Sequence, residues 1–251
     1  MDKLNLALFV GSILLTIYLV NSSSFLLHAP RIHIKEGTSL NWAGYAVQTN
    51  LKKPQNGVVT DVQGSWTVPA VSCTSTNSYS AFWIGIDGYS SNTVEQIGTD
   101  SDCSSGSPRY YVWYEMYPKY PVNLNMKISP GDVMSAEVKY LGSGNFQLTI
   151  TDTKTGATFS KTEKSPSAKR SSAEWIAEAP WSGGVLPLAN FGTIYFSNAK
   201  ATLNGHIGTI NDAAWKYDAI TMATSSGTVK AQPSPLSTGG SSFSVTWLRS
   251  I

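Results

Sequence analysis

Three segments of this chain alternate between two chemically different sets of side chains, and this alternation is what most constrains its fold. Successive side chains of a β-strand point to opposite faces of the sheet. In residues 81–88, one face is purely apolar and holds Phe82, Ile84 and Ile86. The opposite face combines an aromatic ring, a gap and a carboxylate, from Trp83, Gly85 and Asp87. Such a face is typical of the floor of a binding cleft.

The same division recurs in residues 109–117 and 173–178. The core-type faces hold Tyr110, Val112, Tyr114, Met116, Ala173, Trp175 and Ala177. The opposite faces hold Tyr111, Trp113, Glu115, Tyr117, Glu174, Ile176 and Glu178. If the three segments lie in one sheet, four carboxylates (Asp87, Glu115, Glu174 and Glu178) crowd a single surface beside aromatic rings. Clustered carboxylates of this kind are candidates for a raised pKa and for acid–base chemistry. Ordinary solvent-facing acids are the alternative interpretation of any one of them.

The remaining β signals predict an all-β fold. No stretch has helical periodicity, and residues 164–170 and 232–240 are predicted as polar loops. The predicted strands cover residues 44–48, 58–68, 80–86, 93–97, 109–117, 122–128, 133–140, 146–152, 157–163, 173–178, 192–197, 200–203, 219–223 and 242–248. Many short strands joined by turns predict a lectin-like (concanavalin-like) antiparallel β-sandwich of two large sheets with a concave cleft.

The N-terminus predicts export. An uninterrupted apolar run extends from Leu4 to Val20. This pattern is typical of a signal peptide or an uncleaved signal anchor, although the run is short for a membrane span. We therefore expect a leader in residues 1–27 and an extracellular protein, with tethering through residues 4–20 left open. Residues 28–39 are interpreted as a linker or a short pro-like arm, and residues 40–251 as a single β-sandwich domain.

Composition and cysteine usage narrow the possible ligands. The 251 residues carry a net charge of +2, only 14% are charged, and no long basic run points to nucleic acid. In an exported protein, the default for Cys73 and Cys103 is a disulfide. These cysteines and the three histidines have no zinc-ligand spacing. We expect no metal or other cofactor and no obligate partner, and we expect a monomer.

Six blocks, in this order, are similar to the motifs of the glutamic peptidases, or eqolisins. They are residues 41–45 (NWAGY), 64–69 (GSWTVP), 82–88 (FWIGIDG), 94–98 (VEQIG), 113–118 (WYEMYP) and 173–178 (AEWIAE). The resemblance continues through residues 186–192 to residues 239–243. It implies a sandwich of two seven-stranded sheets and a peptidase that acts on polypeptides in acid.

The resemblance also implies roles for particular residues. Gln96 matches the catalytic Gln, and Glu178 matches the catalytic Glu. Glu174 matches a neighbouring acid of the dyad rather than a member of it. The residues that match the surrounding substrate cleft are Trp83, Asp87, Trp113, Glu115 and Tyr117.

The paired residue types suit peptide hydrolysis. An ionised Glu178 accepts a proton from water and later passes it to the leaving nitrogen. The amide of Gln96 holds the water through its oxygen and donates hydrogen bonds to the developing oxyanion. Because the amide is uncharged, it adds no like charge beside Glu178. The segment between the leader and the domain is short, so no inhibitory prosegment is expected.

Two other functions use the same fold. A glycosidase would employ Glu115 and Glu178 as its carboxylate pair, with Trp83 and Trp113 stacking sugars. A non-catalytic lectin or adhesion module would need the aromatic side chains but not Glu178. Serine catalysis is disfavoured because the chain has no Gly-x-Ser-x-Gly motif, and His206 is the only histidine in the predicted domain.

Overall fold

The computed structural model describes residues 26–251, so the predicted apolar leader lies outside the described residues. In the described range every regular element is a β-strand, and no helix there could cross a membrane. The first eight strands are β1 (His33–Lys35), β2 (Thr38–Ser39), β3 (Trp42–Gln48), β4 (Val59–Thr67), β5 (Ala81–Ile86), β6 (Val94–Ser104), β7 (Ser107–Tyr117) and β8 (Val122–Leu124). The others are β9 (Val133–Gly142), β10 (Asn145–Asp152), β11 (Thr158–Lys164), β12 (Ser172–Glu178), β13 (Thr193–Leu203), β14 (His206–Thr209), β15 (Lys216–Ala223), β16 (Val229–Pro233) and β17 (Phe243–Trp247).

The strands form two layers, which confirms the predicted sandwich of two large sheets. The front layer has the order β8-β7-β6-β5-β12-β3-β15. The back layer has the order β11-β10-β9-β4-β13-β17-β16. Strand β15 pairs with β3 and also with β16, so the two layers belong to one continuous hydrogen-bonded sheet. All pairings between the named strands are antiparallel except a short parallel contact between β2 and β15.

The inner face of the front layer is the apolar face predicted from the alternation. Phe82, Ile84 and Trp175 belong to one large core cluster, which also contains Trp66 and Phe196 of the back layer. The Trp66 indole N–H donates to Thr99 Oγ1 at 2.9 Å, so the indole nitrogen is satisfied across the sandwich. Each large apolar side chain buried in this way contributes about 1.5–3 kcal/mol to stability.

The outer face of the front layer carries a second buried cluster. Its members include Trp42, Trp83, Trp113 and Ile176. Residues 26–32, which we call the arm, lie over this cluster. After the arm, β1 and β2 form a hairpin whose second strand pairs with β15.

The β6–β7 hairpin sets the register of the outer face. Its two-residue turn consists of Ser105 and Gly106, with φ of 50° and 79°. Positive φ at both positions is the type I′ geometry that matches the twist of paired strands. The pairing then runs without a bulge as far as Val94 and Tyr117, so Gln96 lies opposite Glu115.

Several strand predictions need correction. Strand β6 continues to Ser104, well beyond the predicted end at residue 97. A buried acid in this extension, Asp100, accepts hydrogen bonds from the side chains of Tyr111 and Trp113. The predicted strands 192–197 and 200–203 are one strand, β13, with an irregularity opposite β4. The predicted strand 122–128 is only Val122–Leu124. Strand β16 covers the start of the loop predicted at 232–240, and the short strands β1, β2 and β14 lack the apolar alternation that reveals strands in sequence.

The predicted disulfide is present. Cys73 and Cys103 are joined, with a sequence separation of 30. The bond ties the loop before β5 to the end of β6. Closing a loop of this length contributes about 3–4 kcal/mol in the chain-entropy description.

Candidate active site

One row of residues across the outer face contains the predicted catalytic Gln. Gln96 of β6 lies opposite Glu115 of β7 on one side and Gly85 of β5 on the other. Glu174 of β12 comes next after Gly85. A Cβ at Gly85 would lie 3.1 Å from Gln96 Cβ, so glycine at this position keeps the space beside the Gln96 side chain open.

A second glycine allows two indole rings to lie against the sheet. Gly98 pairs with Trp83 and with Trp113 in the adjacent strands. A Cβ at Gly98 would be 2.6 Å from Trp83 Cβ and 3.0 Å from the Trp113 ring, which is too close for any residue with a side chain. The aromatic walls of this face therefore depend on the gaps left by glycine.

Glu178 is fully buried on the outer face and held by two donors. Asn41 Nδ2 donates to its Oε1 at 3.3 Å, and Trp83 Nε1 donates to its Oε2 at 2.8 Å. Burial raises the pKa of Glu178 well above its ordinary value, although nearby His28 and the Trp83 hydrogen bond oppose this rise. A carboxyl group with a raised pKa is suited to exchange protons during a reaction.

The amide of Gln96 contacts the backbone of the arm. Its Nε2 donates to the carbonyl oxygen of His28 at 2.6 Å. Among residues 26–251, nothing donates a hydrogen bond to Gln96 Oε1, although this atom is buried. Gln96 thus has one amide end on a peptide carbonyl and an acceptor available to a further donor such as water.

The arm is bound as an extended peptide. Leu27 exchanges two main-chain hydrogen bonds of 2.9 Å with Trp181. The carbonyl of Ala29 accepts hydrogen bonds from Trp42 Nε1 at 3.0 Å and from Asn41 Nδ2 at 3.2 Å. Further along, the main-chain N–H of Arg31 donates to the carbonyl of Gly88, and that of Ile32 to Asn41 Oδ1. The short segment before the domain predicts no inhibitory prosegment, and residues of this same segment contact Gln96.

The side chain of His28 occupies a closed pocket. Its ring stacks on Trp113, with centroids 3.5 Å apart and planes 2° from parallel. Nδ1 lies 2.8 Å from Glu115 Oε2, and Nε2 lies 3.3 Å from Asp100 Oδ1. The Nε2 contact is a charge contact without good hydrogen-bond alignment, since Nε2 has no hydrogen-bond partner within residues 26–251. The main-chain N–H of His28 also donates to Glu115 Oε2.

The electrostatics of this pocket favour a cation. Burial alone would lower the pKa of His28, but Asp100 and Glu115 outweigh it and raise this pKa to about 10. Burial also raises the pKa of Glu115, against the lowering effect of His28. The pocket therefore holds a charged imidazolium between two acids.

A second cation of the arm is bound outside this pocket. The Arg31 guanidinium lies 4.2 Å from the centroid of the Tyr89 ring and 3.6 Å from Asp218 Oδ2. It also donates to the carbonyls of Lys35 and Thr38. A guanidinium over an aromatic face, with a carboxylate beside it, is a favourable cation site.

The predicted cleft acids divide into two groups. Glu115 and Glu178 face the arm. Asp87 instead accepts hydrogen bonds from the main-chain N–H groups of Arg170 and Ser171, so it fastens a loop. Glu174 is fully buried near Asp87 and Glu95, and burial raises its pKa. In residues 26–251, no group of three or more His, Cys, Asp or Glu side chains is arranged to hold a metal ion.

The aromatic residues predicted for the cleft also lie on this face. Trp83 and Trp113 are fully buried members of the outer cluster. Tyr117 is half-buried and packs against the same cluster. All three are therefore placed where the alternation predicts them.

Sequence reasoning missed Asn41, Asp100 and His28. Asn41 belongs to a recognised motif, but nothing in sequence reveals that its amide contacts both Glu178 and the arm. Asp100 lies four residues after Gln96 and on the same face, so a longer predicted β6 would have revealed it. His28 gave no signal because its partners are far away in sequence.

Comparison with known proteins points to one family. A sequence profile of the peptidase A4 family matches residues 40–247. Aspergillopepsin-2 of Aspergillus niger is 31% identical over 196 residues, which span 68% of this chain and 67% of that protein.

Solved structures show the same fold. Scytalido-glutamic peptidase, crystallised with a peptide-based transition state analog, matches with a TM-score of 0.69 and 23% identity, covering 83% of this chain and 98% of that chain. The aspergilloglutamic peptidase from Aspergillus niger matches with a TM-score of 0.60 and 28% identity, covering 68% and 99% of the two chains. At 23% identity the first match is evidence for the fold alone.

Proposed function

Since this chain belongs to the peptidase A4 family and is a glutamic endopeptidase, we propose which residues catalyse its reaction. The proposed catalytic dyad is Gln96 and Glu178. The observation that carries the proposal is the 2.6 Å hydrogen bond from Gln96 Nε2 to a peptide carbonyl, that of His28. Asn41 links this carbonyl region to Glu178, because its Nδ2 donates both to Glu178 Oε1 and to the carbonyl of Ala29.

In the proposed reaction, ionised Glu178 takes a proton from a water molecule that attacks the scissile carbonyl. The amide N–H of Gln96 donates to the carbonyl oxygen as negative charge develops on it. Glu178 then gives its proton to the leaving nitrogen, the carbon–nitrogen bond breaks, and acid and amine products form. Trp83 and Asn41 orient the Glu178 carboxylate and stabilise its ionised form.

The binding of the arm supports polypeptides as substrates. The outer face satisfies the backbone of residues 27–32 through main-chain partners at Trp181 and Gly88 and through the side chains of Asn41 and Trp42. This pattern suits an extended peptide. One related peptidase was crystallised with a peptide-based transition state analog and another with the tripeptide Ala-Ile-His.

We also propose that the enzyme is exported and works in acid as a monomer. The apolar run at residues 4–20 supports export, and the disulfide between Cys73 and Cys103 fits an oxidising compartment. Cleavage of the leader and tethering to a membrane remain alternatives within this proposal.

The dyad is tested by degradation of a denatured protein at several pH values from about 3 to about 6, starting near the ordinary carboxyl pKa, with pepstatin present. The range extends upward because the raised pKa of Glu178 limits its ionised form at the acid end. Glu178→Gln is expected to lower kcat/KM by about 10²–10⁴-fold, because it removes the general base. Gln96→Ala is expected to cost about 10²–10³-fold, the usual loss for one oxyanion donor. Each variant is checked for folding by circular dichroism and thermal unfolding.

Glu174→Gln is the matched control. Glu174 lies on the same strand as Glu178, is equally buried and also has a raised pKa, but no hydrogen bond joins it to the arm among the described residues. It is expected to lose far less activity than Glu178→Gln. If Glu174→Gln is the inactive variant, or if Glu178→Gln keeps the activity of the wild type, the dyad is wrongly assigned.

A further inference from the structure

The outer face of the back layer carries a regular array of polar side chains. Three successive rows cross β13, β4, β9, β10 and β11 through Ser65, Gln63 and Asp61 of β4, and every position in them is polar. The first row contains only hydroxyl side chains, those of Ser197, Ser65, Ser135, Thr151 and Thr158. Alternate residues of a strand share one face, so the three rows lie together on the side away from the sandwich core. We call these rows the polar array.

Two adjoining cavities make the polar array a shallow groove. One cavity, of about 410 Å³, lies along the hydroxyl row and is lined by Ser65 and Ser135. The other, of about 280 Å³, lies between Asp61 and Lys200. The two meet at Gln63, which lines both. A groove that continues across several strands suits an extended polymer.

Hydrogen bonds within the array hold its side chains in fixed positions. Thr149 Oγ1 lies 3.0 Å from Ser160 Oγ, and Thr151 Oγ1 lies 2.9 Å from Thr158 Oγ1. Each of these pairs uses one hydroxyl hydrogen internally and keeps the other, together with free lone pairs, for a ligand. Side chains that are already ordered lose less entropy when a ligand binds.

The charge of the groove becomes positive in acid. Lys139 lies opposite Asp61, and Lys200 lies opposite Gln63. Both lysines are exposed, and neither belongs to an ion pair within residues 26–251. Burial, and then the neighbouring Glu137, raise the pKa of Asp61 to about 7. Below this pH Asp61 is neutral, so the two lysines are left to bind an anion.

The chemistry of the array narrows the class of ligand. A protein partner would need an apolar centre in its interface, and single-stranded nucleic acid would need aromatic rings for stacking. The three rows contain no apolar or aromatic side chain. A sugar chain presents hydroxyl groups that both donate and accept hydrogen bonds. An acidic sugar adds a carboxylate, which forms charge-assisted hydrogen bonds with lysine.

We propose that the polar array binds an acidic polysaccharide, whose hydroxyls contact the hydroxyl row and whose carboxylates contact Lys139 and Lys200. The array lies on the opposite side of the sandwich from the arm. A polymer bound there leaves the outer face of the front layer free, so the peptidase can be held on a polysaccharide surface. The proposal does not depend on the assignment of the dyad.

Binding has a definite pH dependence. The charged and titratable groups around Asp61 on the neighbouring strands and loop are Glu137, Lys139, Tyr140, Arg170, Lys200 and His206. As the pH rises through the Asp61 pKa of about 7, a negative charge develops beside the lysines. The affinity should therefore fall between about pH 5 and about pH 8, on either side of this pKa. Asp61→Asn stays neutral and should lose much less affinity over the same interval.

The test is isothermal titration calorimetry of the full chain with a galacturonate oligosaccharide at about pH 5, where a sugar carboxylate is ionised. The methyl ester of the same oligosaccharide is the matched neutral ligand. We expect the acid form to bind about tenfold or more tightly than the ester, equivalent to about 1.4 kcal/mol. Equal affinity for the two ligands, or binding of neither, overturns the proposal. So does an Asp61→Asn variant whose affinity falls between the two pH values as much as that of the wild type.

Variants of the array locate the site. The double variant Lys139→Gln and Lys200→Gln is expected to bind the acid form about tenfold more weakly. Thr151→Val removes one hydroxyl without changing the charge, and about a threefold to tenfold loss is expected from one lost hydrogen bond. Lys119→Gln and Lys127→Gln together are the matched control, because these exposed lysines follow β7 and β8 in the front layer. The control should bind as the wild type does.

The control separates a built site from general attraction to a cationic protein. Equal losses in the two lysine double variants overturn the proposal, because net charge alone then explains the binding. Wild-type affinity in Thr151→Val also overturns it, since the hydroxyl row is then not in contact with the sugar. Circular dichroism and thermal unfolding confirm that each variant is folded.

Discussion

The two faces of the front layer are built by the same strands and are both buried, yet they differ in what covers them. The inner face packs on the back layer through apolar contacts, as Ile84 and Trp175 do. The outer face is covered by the arm, which reaches its polar side chains through hydrogen bonds and charges. Burial by a second sheet is part of the fold, whereas burial by a short segment can be reversed. The comparison shows how one sheet supplies both a stable core and a reactive surface.

The electrostatic cost of this arrangement is concentrated on the outer face. Burial raises the pKa values of Glu115, Glu174 and Glu178. In residues 26–251, Gln96 Oε1 and Glu115 Oε1 are buried without hydrogen-bond partners. Groups of this kind destabilise a protein and are retained where they serve a function. The inner face has the opposite character, because its large residues are apolar or have satisfied indole nitrogens.

Ile84→Ala, a substitution on the inner face, is expected to have the largest effect on the free energy of unfolding. This truncation removes contacts in the sandwich core and is expected to lower the free energy of unfolding by about 2–5 kcal/mol. Activity per folded molecule should change little, since Ile84 points away from the dyad. Urea unfolding and active-site titration measure the two effects. A loss of activity in the folded variant would show that the two faces are not independent.

Trp83→Phe changes the adjacent residue, which lies on the outer face. It removes the hydrogen bond to Glu178 Oε2, an interaction that stabilises the ionised carboxylate. The pKa of Glu178 should rise further, because this hydrogen bond favours the ionised carboxylate and holds its pKa down. In the proposed mechanism catalysis needs ionised Glu178, so the acid limb of the pH profile of kcat/KM is expected to move to higher pH. An acid limb that stays in place or moves lower contradicts the assignment of Glu178 as the base.

Gly98→Ala tests the glycine gap with a smaller expected effect. The new methyl group would overlap Trp83 Cβ and the Trp113 ring, so we expect a loss of about 1–3 kcal/mol in unfolding free energy. We also expect the Trp113 ring, which stacks on His28, to shift. Gly184→Ala is the control, as a Cβ there meets nothing within 4 Å. Equal destabilisation of the two variants would argue against a steric role for Gly98.

Local sequence pattern was enough to predict much of the fold. Alternation in residues 81–88 assigned Phe82 to the core and Trp83 to the other face, and the structure confirms both. The all-β sandwich and the disulfide are confirmed as well. The predicted end of β6 was wrong because Asp100 and Asp102 interrupt the apolar pattern there. In the folded chain, Tyr111 and Trp113 donate hydrogen bonds to these acids.

The site was predicted only in part, since its geometry depends on long-range contacts. Gln96 and Glu178 were identified by resemblance, and their catalytic roles stay predictions. The contact between His28 and Glu115 spans 87 residues, and that between Asn41 and Glu178 spans 137. No periodicity within a segment indicates such a pair. A histidine in a short polar segment therefore looks like part of a linker until the fold brings its partners to it.

The turn at Ser105 and Gly106 controls chemistry that takes place well away from it. Its length fixes which residues of β6 and β7 face each other, and therefore that Gln96, Asp100, Trp113 and Glu115 all appear on one side. An insertion or deletion of one residue there would move the side chains of one strand to the opposite face. Gln96, the proposed oxyanion donor, and the residues that surround the His28 side chain would then be separated, with no change in any of those residues. The number of residues in this turn should therefore vary far less among related proteins than the exposure of the turn implies.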